Sequence, residues 1–201
     1  QCKTVMVGPH VSAEPTDTLQ VAQGAVDIVA IGEYDYTLSE VAQGKKLDDI
    51  LGISFWQDGR VVHNASRPLI ADLDALPFPA WRHIDPATYH DFGKLYPFIT
   101  LIGGRGCEAA CTFCQFPQVM FGRRYRARSV AKVVDEMEYD LQLFPQLKEI
   151  MFEDDTLTLK RHRDRLRSLC EEIIRRKLKI SWSANARSDI VDLDILQLMR
   201  K

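Results

Sequence analysis

The chain has 201 residues, 46% hydrophobic and 27% charged, with a formal net charge of -2. These are ordinary globular values, and they exclude a binder of nucleic acid that works by bulk positive charge. No apolar run approaches the roughly 18 residues that span a bilayer, and five cysteines, an odd number, argue against a disulfide framework.

Residues 3–7 (KTVMV) read as a buried strand that ends at Gly8, Pro9 and His10. Glu14, Pro15 and Thr16 then open a helix carrying Leu19, Val21 and Ala22. Residues 27–31 (DIVAI) read as a second strand, Gly32 and Glu33 as its turn, and 36–43 as a second helix. Strand, turn and helix repeated at this spacing predict a parallel α/β sheet. Ligands of such sheets bind outside the carboxyl ends of the strands, which puts Gly8, Pro9, His10, Gly32 and Glu33 at the binding edge. Residues 52–63 (GISFWQDGRVVH) read as a hairpin, because Asp58-Gly59 between apolar runs is a type I′ turn signal. The proline-rich stretch that follows reads as a linker. In it Leu73, Leu76, Phe78 and Trp81 are placed to pack between two domains, and Tyr89 and His90 are within reach of an active site.

The apolar run Phe98, Ile99, Leu101, Ile102 reads as a buried strand, and residues 103–116 (GGRGCEAACTFCQF) follow it. Cys107, Cys111 and Cys114 stand in a C-x3-C-x2-C spacing. Three thiolates suit an iron–sulfur cluster and leave one iron of a cubane open for a small molecule. Gly103, Gly104 and Gly106 let the backbone turn around a bulky group, and Phe113 offers a flat side chain to cover a ligand. The alternative is zinc with a fourth ligand from afar, such as His90 or His83. Arg123, Arg124, Arg126 and Arg128 come next, as an anion site or as a solvated, partly ion-paired approach to a helix.

Ser129 is an N-cap for a helix with the apolar stripe Val130, Val133, Val134, Met137 and Leu141. Residues 148–152 (KEIMF) form the next strand and end in Glu153, Asp154 and Asp155. Carboxylates at the carboxyl end of a barrel strand lie where such folds place active sites; the plainer reading is an acidic cap on the next helix. That helix, over 160–177, puts Leu166, Leu169, Cys170, Ile173 and Ile174 on one face, so Cys170 reads as core. Cys2 also reads as structural. Residues 179–184 (KISWSA) form a third strand, followed by Asn185, Ala186 and Arg187. Arg187 can fork onto a carboxylate ligand or pair with Asp189. A last helix begins near Asp192.

On the cysteine motif and its glycine frame, the chain resembles radical S-adenosylmethionine (SAM) enzymes with an N-terminal cobalamin-binding domain. Within that branch it is most similar to the anaerobic magnesium-protoporphyrin ester cyclase and hopanoid-biosynthesis types. The resemblance implies an α/β chain: the C-terminal half of a Rossmann-like cobalamin-binding domain over 1–63, a linker over 64–95, and the first half of a partial, TIM-like (β/α) barrel over 96–201. It implies a [4Fe–4S] cluster on Cys107, Cys111 and Cys114, and SAM held by Phe113, Glu153, Asp154, Asn185 and Arg187. It also implies cobalamin near Gly8, Pro9, His10, Gly32 and Glu33. His10 reads as a turn histidine near the cofactor tail or as a cobalt ligand; the family's histidine-bearing loop would precede Gln1. The implied activity is cleavage of SAM to a 5′-deoxyadenosyl radical for methylation, rearrangement or cyclisation of an unreactive carbon. The implied partners are a small-molecule or lipid substrate and an electron donor such as flavodoxin or ferredoxin, in the cytoplasm, with no nucleic acid and no membrane span. Only three strand–helix units of the barrel are present, so the chain is expected to be a fragment that is inactive alone. Two readings compete: radical SAM chemistry without functional cobalamin, and a catalytically dead cluster-binding module.

Overall fold

A computed structural model describes residues 2–190 and 192–201. The chain forms two compact units, Gln1–Ala71 with Gly106–Tyr125, and Asp72–Arg105 with Arg126–Lys201.

In the first unit, β1 (Val5–Met6) pairs in parallel with β2 (Ile28–Ala30), and α1 (Pro9–Ala13) and α2 (Pro15–Val21) fill the crossover. The helix at Pro9 differs from the expected turn at 8–10. Pro9 occupies the first helical position, where its missing N–H costs nothing and its ring sets a helical φ. Gly8 just before it has φ 115° and ψ -177°, a conformation essentially confined to glycine. Leu19 is buried, but Val21, expected beside it, is 71% exposed. Two residues along a helix turn the side chain roughly 200° away. On β2 the side chains alternate between two cores. Val29 packs with Val11, Leu19 and Val26, and Ile28 with Ile50, Ile53 and Phe55. After α3 (Asp35–Ala42), the hairpin of β3 (Ile53–Gln57) and β4 (Arg60–His63) adds antiparallel to β2, giving the order β1-β2-β3-β4. Asp58 (φ 49°) and Gly59 (φ 75°) are both left-handed, as a type I′ turn requires. The short helix α4 (Phe116–Val119) belongs to the same unit.

In the second unit, β5 (Phe98–Leu101) leads into a two-stranded ribbon of β6 (Gly104–Arg105) and β7 (Arg126–Ala127). Then come α5 (Val130–Leu143), β8 (Glu149–Phe152), α6 (Arg163–Arg175), β9 (Ser181–Ala184) and α7 (Leu193–Met199). The three long strands pair in parallel in the order β5-β8-β9, with Leu101, Phe152 and Ala184 in register at their carboxyl ends. Ile99, Leu101, Ile150 and Phe152 of this sheet pack against Val133, Val134 and Met137 of α5 and Leu166, Leu169, Cys170 and Ile173 of α6. Ser129 caps α5 by accepting from the Lys132 N–H at 3.2 Å, and Asp192 caps α7 by accepting from the Ile195 N–H at 3.0 Å. Residues 160–162 form a 3-10 turn ahead of α6, and Ile174, expected in the core, is 41% exposed. It stands about 100° round the helix from Ile173. The proline-rich stretch is punctuated by three 3-10 turns (Leu73–Ala75, Trp81–His83, Pro86–Thr88). Here Phe78 lies 5.7 Å from Tyr139 and 4.9 Å below the Lys132 ammonium, and Trp81 borders the core. Among the described residues, no helix is long and apolar enough to cross a membrane.

Candidate functional site

The cysteine loop is built on close backbone packing in the first unit. Gly106 has φ 87°, and a Cβ there would lie 2.4 Å from the Arg124 carbonyl oxygen and 3.0 Å from that of Gly122. Only glycine fits such an approach. The Cys107 N–H donates to the Gly122 carbonyl at 3.3 Å, the Cys114 N–H to the Cys111 carbonyl at 3.3 Å, and Gln118 Nε2 to the Cys114 carbonyl at 2.9 Å. Arg123 Nη1 donates to the Ala109 carbonyl at 3.3 Å, which gives one of the four arginines a structural use. Cys107 is buried, Cys111 and Cys114 are half-buried, and Phe113 is 90% exposed. Among the described residues, no three histidine, cysteine or acidic side chains form a ready-made metal cage. The loop thus brings three thiols into one stitched turn without holding the sulfurs as a preformed cluster site. That fits ligation in which metal–thiolate bonds complete the site, and the all-sulfur donor set suits iron–sulfur chemistry. The other two cysteines behave differently. Cys170 is buried in the core, which pushes its thiol up to about 11, whereas Cys2, expected to be structural, is exposed.

The residues expected to hold SAM at the strand ends lie in the second unit. Glu153 is exposed at the end of β8, and its N–H bonds the Leu101 carbonyl at 2.9 Å. Asp154 is 1% exposed and accepts from the Gly103 N–H at 2.6 Å. Asn185, exposed after β9, donates through Nδ2 to the Asp154 carbonyl at 3.4 Å, and its own carbonyl accepts from Leu157. Arg187 forks onto Asp189, with Nε to Oδ1 at 3.0 Å and Nη2 to Oδ2 at 2.7 Å, and its N–H reaches Thr158 Oγ1 at 3.3 Å. That pairing holds Asp189 below the usual carboxylate range. The structure therefore gathers Glu153, Asp154, Asn185 and Arg187 on the carboxyl ends of two adjacent strands. Phe113 belongs to the other unit.

At the edge of the first unit's sheet, Ser12 of α1 joins both glycine turns. Its hydroxyl donates to the Gly8 carbonyl at 2.7 Å and accepts from the Gly32 N–H at 3.0 Å. Sequence reasoning missed Ser12, which has no motif to mark it. A Cβ on Gly8 would meet nothing within 4 Å, so the backbone there faces open space. Pro9 and His10 start α1, with His10 exposed. Glu33 is buried and accepts from the Ile70 N–H at 2.7 Å.

A buried charge group behind the second unit's sheet was also missed. Arg128 is only 9% exposed; its Nη2 pairs with Glu136 Oε2 at 2.6 Å and its Nη1 donates to the Ile102 carbonyl at 3.0 Å. Asp140, one turn on, is fully buried with neither oxygen hydrogen-bonded. Burial and then the Glu136 charge push its carboxyl up to about 8, against the pull of Arg128. Burial raises Glu136 as well. A helical wheel carries the signal, because residues 136 and 140 fall inside the stripe that runs through Val133 and Met137.

Residues 101–201 match the radical SAM superfamily. The chain is 34% identical over 201 residues to an uncharacterized methyltransferase of Pyrococcus horikoshii, covering 98% of this chain and 42% of that protein. It is 32% identical over 213 residues to the anaerobic magnesium-protoporphyrin IX monomethyl ester cyclase of Rubrivivax gelatinosus, covering 98% of this chain and 36% of the cyclase. Its fold is similar to that of the cobalamin-dependent S-adenosylmethionine radical enzyme OxsB, solved with aqua-cobalamin and S-adenosylmethionine bound. The TM-score is 0.70 at 22% identity, over 96% of this chain and 28% of OxsB. The chain thus spans less than half the length of these relatives.

Proposed function

The chain belongs to the radical SAM superfamily, and we propose that it is part of a cobalamin-dependent enzyme that cleaves S-adenosylmethionine on a [4Fe–4S] cluster. The observation that carries the reading is the single stitched loop that offers Cys107, Cys111 and Cys114 as its only thiols. When bound, the cluster and SAM supply methionine and a 5′-deoxyadenosyl radical able to take hydrogen from an unreactive carbon, and cobalamin supplies methyl transfer or assists rearrangement or cyclisation.

The protein's part is to bind and to orient. Gly106 lets the loop backbone close on itself, so the thiols are offered from a fixed turn. Exposed Glu153 and Asn185 suit the ammonium and polar groups of SAM, and Asp154 fixes the Gly103 turn beside them. Arg187, now forked onto Asp189, suits a ligand carboxylate that competes for the same guanidinium. Phe113, exposed on the loop, suits an apolar cover. The three-stranded parallel sheet supports reading the second unit as an arc of a (β/α) barrel, whose carboxyl edge carries the chemistry. The open space at Gly8 and the exposed His10 support a cobalamin tail along the edge formed by Gly8, Pro9, His10 and Gly32; Glu33, buried beneath that edge, holds the Ile70 N–H instead. The substrate is a small molecule or lipid, and a flavodoxin or ferredoxin supplies the electron, in the cytoplasm.

Anaerobic reconstitution tests the central claim. Wild-type protein should bind about four irons and four sulfides, the content of one cubane cluster. Alanine at Cys107, Cys111 or Cys114 should abolish uptake, and Cys170→Ala should not. Loss of iron in Cys170→Ala would replace the open-iron site with a four-cysteine one. Methionine and 5′-deoxyadenosine formed from SAM under reductant distinguish an enzyme from a cluster-binding module.

A further inference from the structure

The chain leaves the second unit after β6 and returns to it at β7, so one short neck brackets the segment with all three loop cysteines, which belongs to the first unit. The neck ladder is two residues long, Gly104 opposite Ala127 and Arg105 opposite Arg126. A lone two-stranded ladder is marginal in water. Here two arginines reinforce it. The Gly103 carbonyl, just before the outgoing strand, accepts from the Arg128 N–H at 3.0 Å and from Arg165 Nη2 at 2.8 Å. Arg165 also reaches the chain just after the returning strand, donating to the Arg128 carbonyl from Nη2 at 3.0 Å and from Nε at 3.3 Å. One guanidinium from α6 therefore holds a carbonyl on each side of the neck, a use that needs its planar fork of donors. Arg128 ties the neck to α5, with Nη1 on the Ile102 carbonyl and Nη2 on Glu136, which is 1% exposed. Each member of that pair needs the other, because a buried charge left alone is strongly unfavourable.

We infer that Arg128 and Arg165 are positioning residues for iron ligation: they close the neck and so hold the cysteine loop in the form that takes a cluster. The inference rests on the cluster reading of Cys107, Cys111 and Cys114. It assigns α5 and α6 a part in the site although neither helix carries a ligand.

The test uses the chain reconstituted anaerobically with iron and sulfide. Iron content, the electron paramagnetic resonance of the reduced cluster, and amide hydrogen exchange of peptides covering 103–128 are read together. Arg165→Gln should exchange about tenfold faster in those peptides, with β8 unchanged, since opening of the neck is local. Its resonance should be shifted or broadened. Arg165→Lys, able to reach one carbonyl but not both, should fall between Arg165→Gln and wild type. Arg175→Gln alters an exposed arginine on the same helix whose salt bridge, among the described residues, is to Glu172, and it should match wild type throughout. Glu136→Gln loosens Arg128 without touching Arg165 and should shift the same signals; Arg165→Lys serves where Arg165→Gln folds poorly. Wild-type protein that takes up no iron would overturn the cluster reading and this inference with it. Full iron in wild type, with unchanged exchange and resonance in Arg165→Gln and Glu136→Gln, would overturn this inference alone.

Discussion

Asp140 shows how one side chain sets a pH dependence. Its carboxyl is fully buried, neither oxygen is hydrogen-bonded, and burial pushes it up to about 8. The unfolded chain releases that proton near ~4. Between those values the folded state holds one proton more than the unfolded state, so stability falls as pH rises, by about 1.4 kcal/mol per pH unit. The contribution is fully present below the unfolded value and lost as pH passes the folded one. Asp140→Asn keeps the shape and removes the titration. Its urea midpoint should therefore fall less than that of wild type between pH 5 and pH 8, with a residual slope from Glu136, which burial also raises. Parallel curves for the two proteins would remove Asp140 as the source. The loop makes a second prediction at this scale. A methyl group on Gly106 would sit 2.4 Å from the Arg124 carbonyl oxygen at a φ of 87°. Gly106→Ala should lose most of its iron uptake on reconstitution, while Gly59→Ala, whose added Cβ meets nothing within 4 Å, should load as wild type does.

The elements divide by how local their causes are. Ser129 is a local cause: its hydroxyl accepts from the Lys132 N–H at 3.2 Å. Ser129→Ala should destabilise the second unit by about 1 kcal/mol in chemical unfolding, and Ser129→Asp should keep most of the cap. An unchanged midpoint in Ser129→Ala would mean that the bond from the Ser129 N–H to Asp74, 3.0 Å long, sets the start of α5 instead. Such local signals made much of the fold legible: the apolar runs of β5 and β8, the Asp58-Gly59 hairpin, the stripe of α5 and the start of α7 near Asp192. The helix at Pro9 was not legible, because Gly-Pro reads equally as a turn and as a helix start. The β6 and β7 ribbon was hidden for another reason. Its strands are two residues long, lack apolar alternation, and pair across the whole cysteine loop. The candidate site follows the same division. The cysteine spacing is visible along the chain, and so is the Arg187 pairing with Asp189, two residues on, as one of two readings, whereas the Arg165 bridge depends on where strands and helices end in space.

At the scale of the whole molecule, the first unit carries both the cysteine loop and the proposed cobalamin edge. That unit offers an edge where Gly8 and Gly32, both at positive φ, are tied through the Ser12 hydroxyl. Open space lies where a Gly8 side chain would start, so a cofactor tail can run close to the backbone there. A bulky residue at Gly8 makes an ambiguous test, because φ 115° with ψ -177° strains any side chain. His10 is the cleaner position, since it is exposed on α1 just past the same turn and a helix accepts a larger residue there without backbone strain. The enzyme of which this chain is proposed to be part, incubated anaerobically with aquacobalamin and freed of excess, should retain about one equivalent by visible absorption, as one pocket per domain implies. His10→Trp should retain several-fold less and keep its iron content, because the cluster cysteines are left untouched. Retention in His10→Trp equal to wild type would move the tail away from this edge. A wild-type whole enzyme that retains none would leave radical SAM chemistry without cobalamin as the reading for this chain.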